Sequence, residues 1–235
     1  IIACYLKEAI MKAIIVTGAG TGLGKELALL LAKQGYHLIL TGRTEDKLKN
    51  VQTQIEESGG SATDLVLDLR NLEDIKEKAL MISKKYEIYG LVNNAGLGYF
   101  GPFSEISDKE IEEMFQTNVF GTIQMTKTIL PYLELNNDGL VLNIVSTAGL
   151  RGKKNEAVYC SSKFAVRGFT ESLQKEYEGT GIRFVAAYMG GMNTPFWEES
   201  DHVADPSRLR SPAEVAEIII QNLEKDEIVI ESKKS

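Results

Sequence analysis

The chain has 235 residues, 43% apolar and 25% charged, the balance of a water-soluble globular protein long enough to bury a substantial core. Its 33 acidic residues against 26 basic ones give a formal charge of −7, which argues against a binder of nucleic acid or of an anionic membrane. Two cysteines, Cys4 and Cys160, form no disulfide framework and no zinc-ligand spacing, so no metal is expected and a reducing, cytoplasmic setting is the simplest reading.

Residues Ile1 to Ile10 lack the basic start and small-residue cleavage site of a secretory signal. Met11-Lys12 reads as a natural start, and residues 1–10 as a non-native or disordered extension to a domain spanning 11–235. No apolar run reaches the roughly 20 residues that span a bilayer. Beyond Met11, short β-like runs alternate with longer helical ones. Lys12–Thr17 reads as a buried strand and Leu23–Gln34 as a helix, then strand His37–Thr41 and helix Glu45–Glu57. Strand Ala62–Leu67 ends at Asp68, with helix Leu72–Tyr86 and a very short strand Leu91–Asn93 after it. Lys109–Leu133 carries one long helical pattern that passes Pro131 only with a bend. Leu140–Val145 is a strand, Tyr159–Tyr177 a helix, Arg183–Ala187 a strand, Pro212–Leu223 a helix and Glu227–Glu231 the last strand. Strict alternation of this kind predicts right-handed crossovers and a doubly wound parallel α/β sheet of the Rossmann type, with helices on both faces. The long irregular stretch, Met189–Arg210, has the length of a functional loop.

Thr17-Gly18-Ala19-Gly20-Thr21-Gly22-Leu23-Gly24 joins the first strand to the first helix. Glycines there allow a tight turn and close approach of a pyrophosphate, and the helix N-terminus presents free N–H groups to the phosphates. A strand before and a helix after make this a dinucleotide site rather than a plain turn. The second strand ends Leu40-Thr41-Gly42-Arg43, with no acid at Gly42 to hold a ribose 2′-hydroxyl. The guanidinium of Arg43 suits a 2′-phosphate, so NADP is expected over NAD. Further on, Tyr159 and Lys163 stand four residues apart, on one face of a helix. A nearby ammonium lowers the pKa of a phenol, so the pair suits proton transfer to or from an oxygen. Hydride from a dinucleotide and a proton from the phenol together interconvert a carbonyl and an alcohol. Cys160 reads as a small packing residue.

These residues together resemble the short-chain dehydrogenase/reductase family over nearly all of residues 12–231. The resemblance rests on Thr17, Gly18, Gly22 and Gly24 as TGxxxGxG, on Asn93-Asn94-Ala95-Gly96 after the fourth strand, and on Tyr159 and Lys163 as YxxxK. It also rests on Ser146, 13 residues before the tyrosine, on Asn118 within Thr117-Asn118-Val119, and on Asp68 after the third strand. It implies strand order 3-2-1-4-5-6-7 and a catalytic set of Asn118, Ser146, Tyr159 and Lys163. In that set Tyr159 is the general acid or base and Ser146 donates to the substrate oxygen. Lys163 holds the nicotinamide ribose, and Asn118 anchors a water that links Lys163 to solvent. The implied cofactor contacts are Gly18, Thr21, Gly22, Leu23, Gly24, Arg43, Asp68, Asn94, Ala95, Gly96, Tyr159, Lys163, Gly190 and Thr194, with Asn93 lining the site and Asp68 at the adenine.

Departures from the family pattern are Met189 where a proline is usual before Gly190, and a short C-terminus. The short ending fits small ketone, diketone or 3-hydroxy acid enzymes better than a 3-oxoacyl-carrier reductase. Leu97, Tyr99, Phe100, Phe196 and Trp197 suggest an apolar or aromatic substrate pocket under a movable lid. The expected activity is NADP(H)-dependent carbonyl reduction or alcohol oxidation on a small molecule. A 3-oxoacyl reductase and a non-catalytic NADP-binding module are the alternatives. By resemblance the chain pairs as a homodimer or homotetramer through the helices carrying Asn118 and Tyr159.

Overall fold

The computed structural model describes residues 11–197, 202–203 and 205–232; the extension assigned to residues 1–10 lies outside them. Seven strands form one sheet: β1 (Lys12–Thr17), β2 (His37–Gly42), β3 (Ser61–Val66), β4 (Glu87–Asn93), β5 (Gly139–Ile144), β6 (Ile182–Met189) and β7 (Glu227–Ile230). Every pairing is parallel and the order is β3-β2-β1-β4-β5-β6-β7, as the resemblance implied.

Strand side chains alternate between faces, and both faces are covered, so the central strands are apolar throughout. In β1, Ile14 and Val16 face a layer with helices α1 (Gly22–Lys33), α2 (Glu45–Glu57) and α7 (Pro212–Ile220). Ala13 and Ile15 face the opposite layer, with α3 (Leu72–Ser83), α5 (Thr122–Asn136) and α6 (Ala157–Glu176). Both layers are built from fully buried aliphatic groups, each worth about 1.5–3 kcal/mol against exposure.

Two elements differ from the pattern read in the sequence. Strand β4 begins at Glu87, four residues before the expected Leu91, and α3 stops at Ser83 instead of reaching Tyr86. The added residues pair with β1, Lys12 opposite Glu87 and Ile14 opposite Gly90. A side chain on Gly90 would press within 3.2 Å of Ile14 and the Leu140 carbonyl, so glycine, ordinarily a strand breaker, is what the close packing requires. The single helix expected over Lys109–Leu133 is two: α4 (Asp108–Phe115), started by a Ser107–Glu110 capping box, and α5, which runs through Pro131 to Asn136. Between them, Gln116–Gly121 forms a widened π turn, a feature frequent at functional sites.

At the start of β2, His37 is 3% exposed. Its ring nitrogens meet Ser61 Oγ at 2.6 Å and Thr63 Oγ1 at 3.0 Å, and its ring stacks on Tyr86 at 4.0 Å. Burial, helped by the Lys85 charge, pushes its pKa down to about 4. The unfolded value is near 6.5, so the stability this neutral ring contributes is complete above about pH 6.5 and is lost as pH falls toward 4. We predict a loss of about 2 kcal/mol from this site between about pH 7 and pH 5, measured by urea unfolding. The His37→Gln variant should show a correspondingly flatter pH dependence; an equally steep one would contradict the assignment.

Candidate active site

The candidate site is a crevice of about 430 Å³ running along the carboxyl ends of the strands, where a doubly wound sheet binds its ligands. At one end the turn after β1 is fixed by Thr17 and Asn94. The Thr17 hydroxyl donates to the Val92 carbonyl at 3.2 Å and accepts from the Asn94 and Ala95 amides, both at 3.0 Å. The Asn94 amide group donates to the carbonyls of Thr17 at 2.9 Å and Gly18 at 3.2 Å. Gly18 has φ +65°, a left-handed conformation that suits glycine. A Cβ on Gly24 would overlap the Gly18 carbonyl oxygen and the Asn94 amide. The turn therefore lies flat on the start of α1, open toward the crevice and lined by Thr21, Gly22 and Leu23. That bare backbone at a helix N-terminus fits a dinucleotide pyrophosphate.

Beyond the turn, Arg43 and Asp68 both line the crevice, as the sequence suggested, and Lys47 and Arg70 join them. Asp68 is gripped by Arg70, with Nη2 2.6 Å from Oδ2 and Nε 3.0 Å from Oδ1. That contact holds its carboxyl below the usual range, opposed by partial burial. Lys47 and Arg70 were missed in the sequence because neither sits in a motif; the first turn of α2 and the loop after β3 bring them to the crevice that Arg43 lines. Thr194 reaches back over Gly22, where an added Cβ would come within 3.3 Å of its methyl group. Gly190 is held by its amide donating to the Ile230 carbonyl at 2.8 Å, and Ser232 packs so closely that a Cβ would clash with it.

At the other end of the crevice stand Ser146, Tyr159 and Lys163. Ser146 follows β5, and its loop packs onto α6 so tightly that a Cβ on Gly149 would come within 3.0 Å of the Lys163 carbonyl. On α6, Tyr159 and Lys163 share one face, the ammonium nitrogen 5.7 Å from the phenol ring centre. Lys163 is 6% exposed and donates to the Ile144 carbonyl at 3.0 Å. Burial pulls its pKa down to about 8. The lowered phenol pKa expected from the sequence is not what the structure gives. Burial pushes Tyr159 above its usual range; the Ser146 hydroxyl pulls it back, and the charges of Glu156 and Cys160 push it further up. Burial decides the direction because the phenol is itself only 9% exposed and walled by Phe100 and Phe196.

Asn118 sits in the π turn, 1% exposed, with its side chain fully engaged. Its amide donates to the Leu97 carbonyl at 2.8 Å and Ser162 Oγ at 3.1 Å, and its Oδ1 accepts from the Leu97 amide at 2.9 Å. Its backbone carbonyl accepts from the Thr122 hydroxyl at 2.9 Å. A buried ladder continues from there: Thr126 Oγ1 donates to the Thr122 carbonyl, and the Asn93 amide donates to Thr126 Oγ1 and Asn143 Oδ1. Gly96 ties this group to the lysine, since a Cβ there would lie 3.2 Å from Asn118 Oδ1 and 3.7 Å from Lys163 Nζ. Cys160 is buried, with a raised thiol pKa, in keeping with a packing role. Arg151 and Lys153, near the mouth of the crevice, are paired with Glu231 at 2.8 Å and Glu156 at 3.8 Å.

Ser146 has φ +108° and ψ +149°, a region nearly reserved for glycine. Such strain costs of order 1–3 kcal/mol. We predict that Ser146→Gly unfolds at higher denaturant than Ser146→Ala, a difference of about 1 kcal/mol, although both lack the hydroxyl. Elsewhere alanine is the more stabilising of the two, so an Ala variant equal to or better than Gly would contradict the strain.

With this geometry in place, comparison with known proteins is direct. The short chain dehydrogenase family matches residues 12–204. The uncharacterised oxidoreductase YciK of Escherichia coli (strain K12) is 34% identical over 207 residues, covering 86% of this chain and 82% of its own. The sepiapterin reductase of Chlorobaculum tepidum is 27% identical over 216 residues, 88% of each chain. Among solved structures, the alcohol dehydrogenase of the archaeon Thermococcus sibiricus, complexed with 5-hydroxy-NADP, superposes with a TM-score of 0.83 at 29% identity over 94% of both chains. Family match, strand order and site architecture agree: the chain belongs to the short chain dehydrogenases.

Proposed function

We propose that the chain is an NADP(H)-dependent carbonyl reductase and alcohol dehydrogenase for small or medium-sized substrates. The observation that carries this reading is the convergence of Ser146, Tyr159 and Lys163 at the carboxyl edge of the sheet, in one crevice with the glycine turn. NADPH, when bound along that turn, supplies the hydride. In the reducing direction the Tyr159 hydroxyl gives its proton to the carbonyl oxygen, and in the oxidising direction the phenolate takes it back. Ser146 donates a hydrogen bond to the same oxygen as negative charge develops on it. Lys163, fixed by the Ile144 carbonyl, places a positive charge beside the phenol and offers donors to ribose hydroxyls. Asn118 holds the Leu97 backbone and the start of α6 through Ser162, and so positions the lysine.

Preference for NADP over NAD is supported by two cations, Arg43 and Lys47, at the adenosine end, where Arg70 is paired with Asp68. The 5-hydroxy-NADP carried by the Thermococcus sibiricus relative supports the same choice. The pairing of Arg151 and Lys153 with acids argues against a basic landing surface for an acidic acyl carrier. Phe120 and Phe164, 49% and 43% exposed on the π turn and α6, support pairing with a second copy across those helices.

Two variants test the reading. Tyr159→Phe should retain NADPH binding, followed by cofactor fluorescence, and lose about 10²–10⁴-fold in carbonyl-dependent NADPH oxidation. Arg43→Ala should lose roughly tenfold in kcat/KM with NADPH and little with NADH. Near-parental turnover in the first, or an unchanged cofactor preference in the second, would overturn the corresponding assignment.

A further inference from the structure

A file of polar side chains crosses the apolar layer between the sheet and helices α5 and α6. Asn93 on β4 and Asn143 on β5 stand opposite each other in register, two residues beyond Leu91 and Val141 and so on the same face of the sheet. Both are buried, as are Thr126 on α5 and Thr170 on α6. The four make one hydrogen-bonded strut from helix to helix. Thr126 Oγ1 donates to the Thr122 carbonyl at 2.8 Å and Thr170 Oγ1 to the Val166 carbonyl at 2.7 Å, so each hydroxyl turns a lone pair inward. The Asn93 amide donates to Thr126 Oγ1 at 3.0 Å and to Asn143 Oδ1 at 2.8 Å. The Asn143 amide donates to Thr170 Oγ1 at 2.8 Å. One amide oxygen is left over: Asn93 Oδ1, buried without a partner among the described residues. An unpaired buried acceptor costs stability that apolar side chains of the same shape would not. The strut is therefore better explained by what it aligns than by what it adds to stability.

Its α6 end bears on the site. Thr170 follows Lys163 by seven residues, two turns along the same face and about 10 Å down the helix axis. The residue after Asn143 on β5, Ile144, offers its carbonyl to Lys163 Nζ at 3.0 Å. Two consecutive residues of one strand thus hold α6 at two points, Asn143 through its side chain and Ile144 through its backbone. One point alone would let the helix slide or turn about it; two points prevent both. We propose that Asn143 and Thr170 are positioning residues, which set the register of α6 against the sheet so that the Lys163 amine stays on the Ile144 carbonyl beside Tyr159. Neither residue lines the crevice, so both act through Lys163 and Tyr159. The effect on the lysine stands without turnover; the kinetic consequence rests on the carbonyl reductase reading.

Thr170→Val keeps the shape of the side chain and removes the acceptor. In the cofactor-free protein carrying ¹³C-labelled lysine, NMR titration should show the Lys163 midpoint rise by about one pH unit from its value near 8, as the loosened amine gains water. Thr170→Ser retains the hydroxyl and should restore the parental midpoint. Ile82→Ala, a core truncation in α3, should lower the urea midpoint of unfolding at least as much and leave the Lys163 titration where it was. If Thr170→Val does not fold, Thr170→Ala takes its place with the same expected rise. An unchanged Lys163 midpoint on loss of the hydroxyl, or an equal rise in Ile82→Ala, would overturn the proposal whether or not the protein proves a reductase. With a reducible ketone, kcat should fall about tenfold in Thr170→Val, recover in Thr170→Ser and stay near the parental value in Ile82→Ala. A Thr170→Val enzyme with parental kcat would also overturn it. Absence of turnover in the parental chain bears on the reductase reading alone, and the titration still decides the register.

Discussion

A single buried ammonium organises the site. Lys163 is almost wholly removed from water, and among the described residues its charge has one hydrogen-bond acceptor, the carbonyl of Ile144 at the end of β5. Removing a cation from water is costly, and one neutral carbonyl offsets only part of that cost. The lysine pKa falls as a result, to about 8. Tyr159 moves the other way, since burial disfavours the phenolate as it disfavours the ammonium. The two groups therefore move apart in proton affinity, and the phenol keeps its proton, the form that a general acid needs. The crevice achieves this by excluding water from both, with Phe100 and Phe196 against the phenol and the strand ends against the lysine.

Such a site draws on the stability of the rest of the fold. Ser146 is held in a conformation suited to glycine, Lys163 is a buried cation, and Asn93 Oδ1 is buried with no hydrogen-bond partner among the described residues. Against these stand two thick aliphatic layers and a ladder of buried polar bonds from Asn118 through Thr122 and Thr126 to Asn93 and Asn143. That ladder joins β4, β5 and the helix carrying the π turn. Its members hold one another, so the register of the site is set from beneath by the sheet.

The sheet was legible because its strands are short apolar runs between turn residues, and their order followed from the family resemblance. Strand β4 was misjudged at its start because Glu87, Tyr89 and Gly90 do not look like a buried strand, and their pairing with β1 is a tertiary fact. The break between α4 and α5 was invisible because a π turn keeps the chain helical and shifts its period by only one residue. Among the site residues most motif positions line the crevice, but Gly24, Asn93 and Asn118 pack beneath it, Gly24 against the Gly18 carbonyl and the two asparagines in buried hydrogen bonds. Sequence spacing alone gave the shared face of Tyr159 and Lys163, but not the sign of the phenol shift, which depends on how much protein covers it. Lys47, Arg70 and Glu156 were illegible for another reason: each reaches the site by a loop or helix start, and none carries a spacing signature.

The account turns on the state of the Lys163 amine. It is measured most directly by NMR titration of the chain carrying ¹³C-labelled lysine, with the Lys163 resonance assigned by its loss in Lys163→Met. In the cofactor-free protein the account predicts a midpoint near 8, well separated from the surface lysines. A midpoint at the ordinary lysine value of about 10.4 would mean that the ammonium is solvated, and would contradict the buried proton-transfer unit on which the proposed chemistry stands.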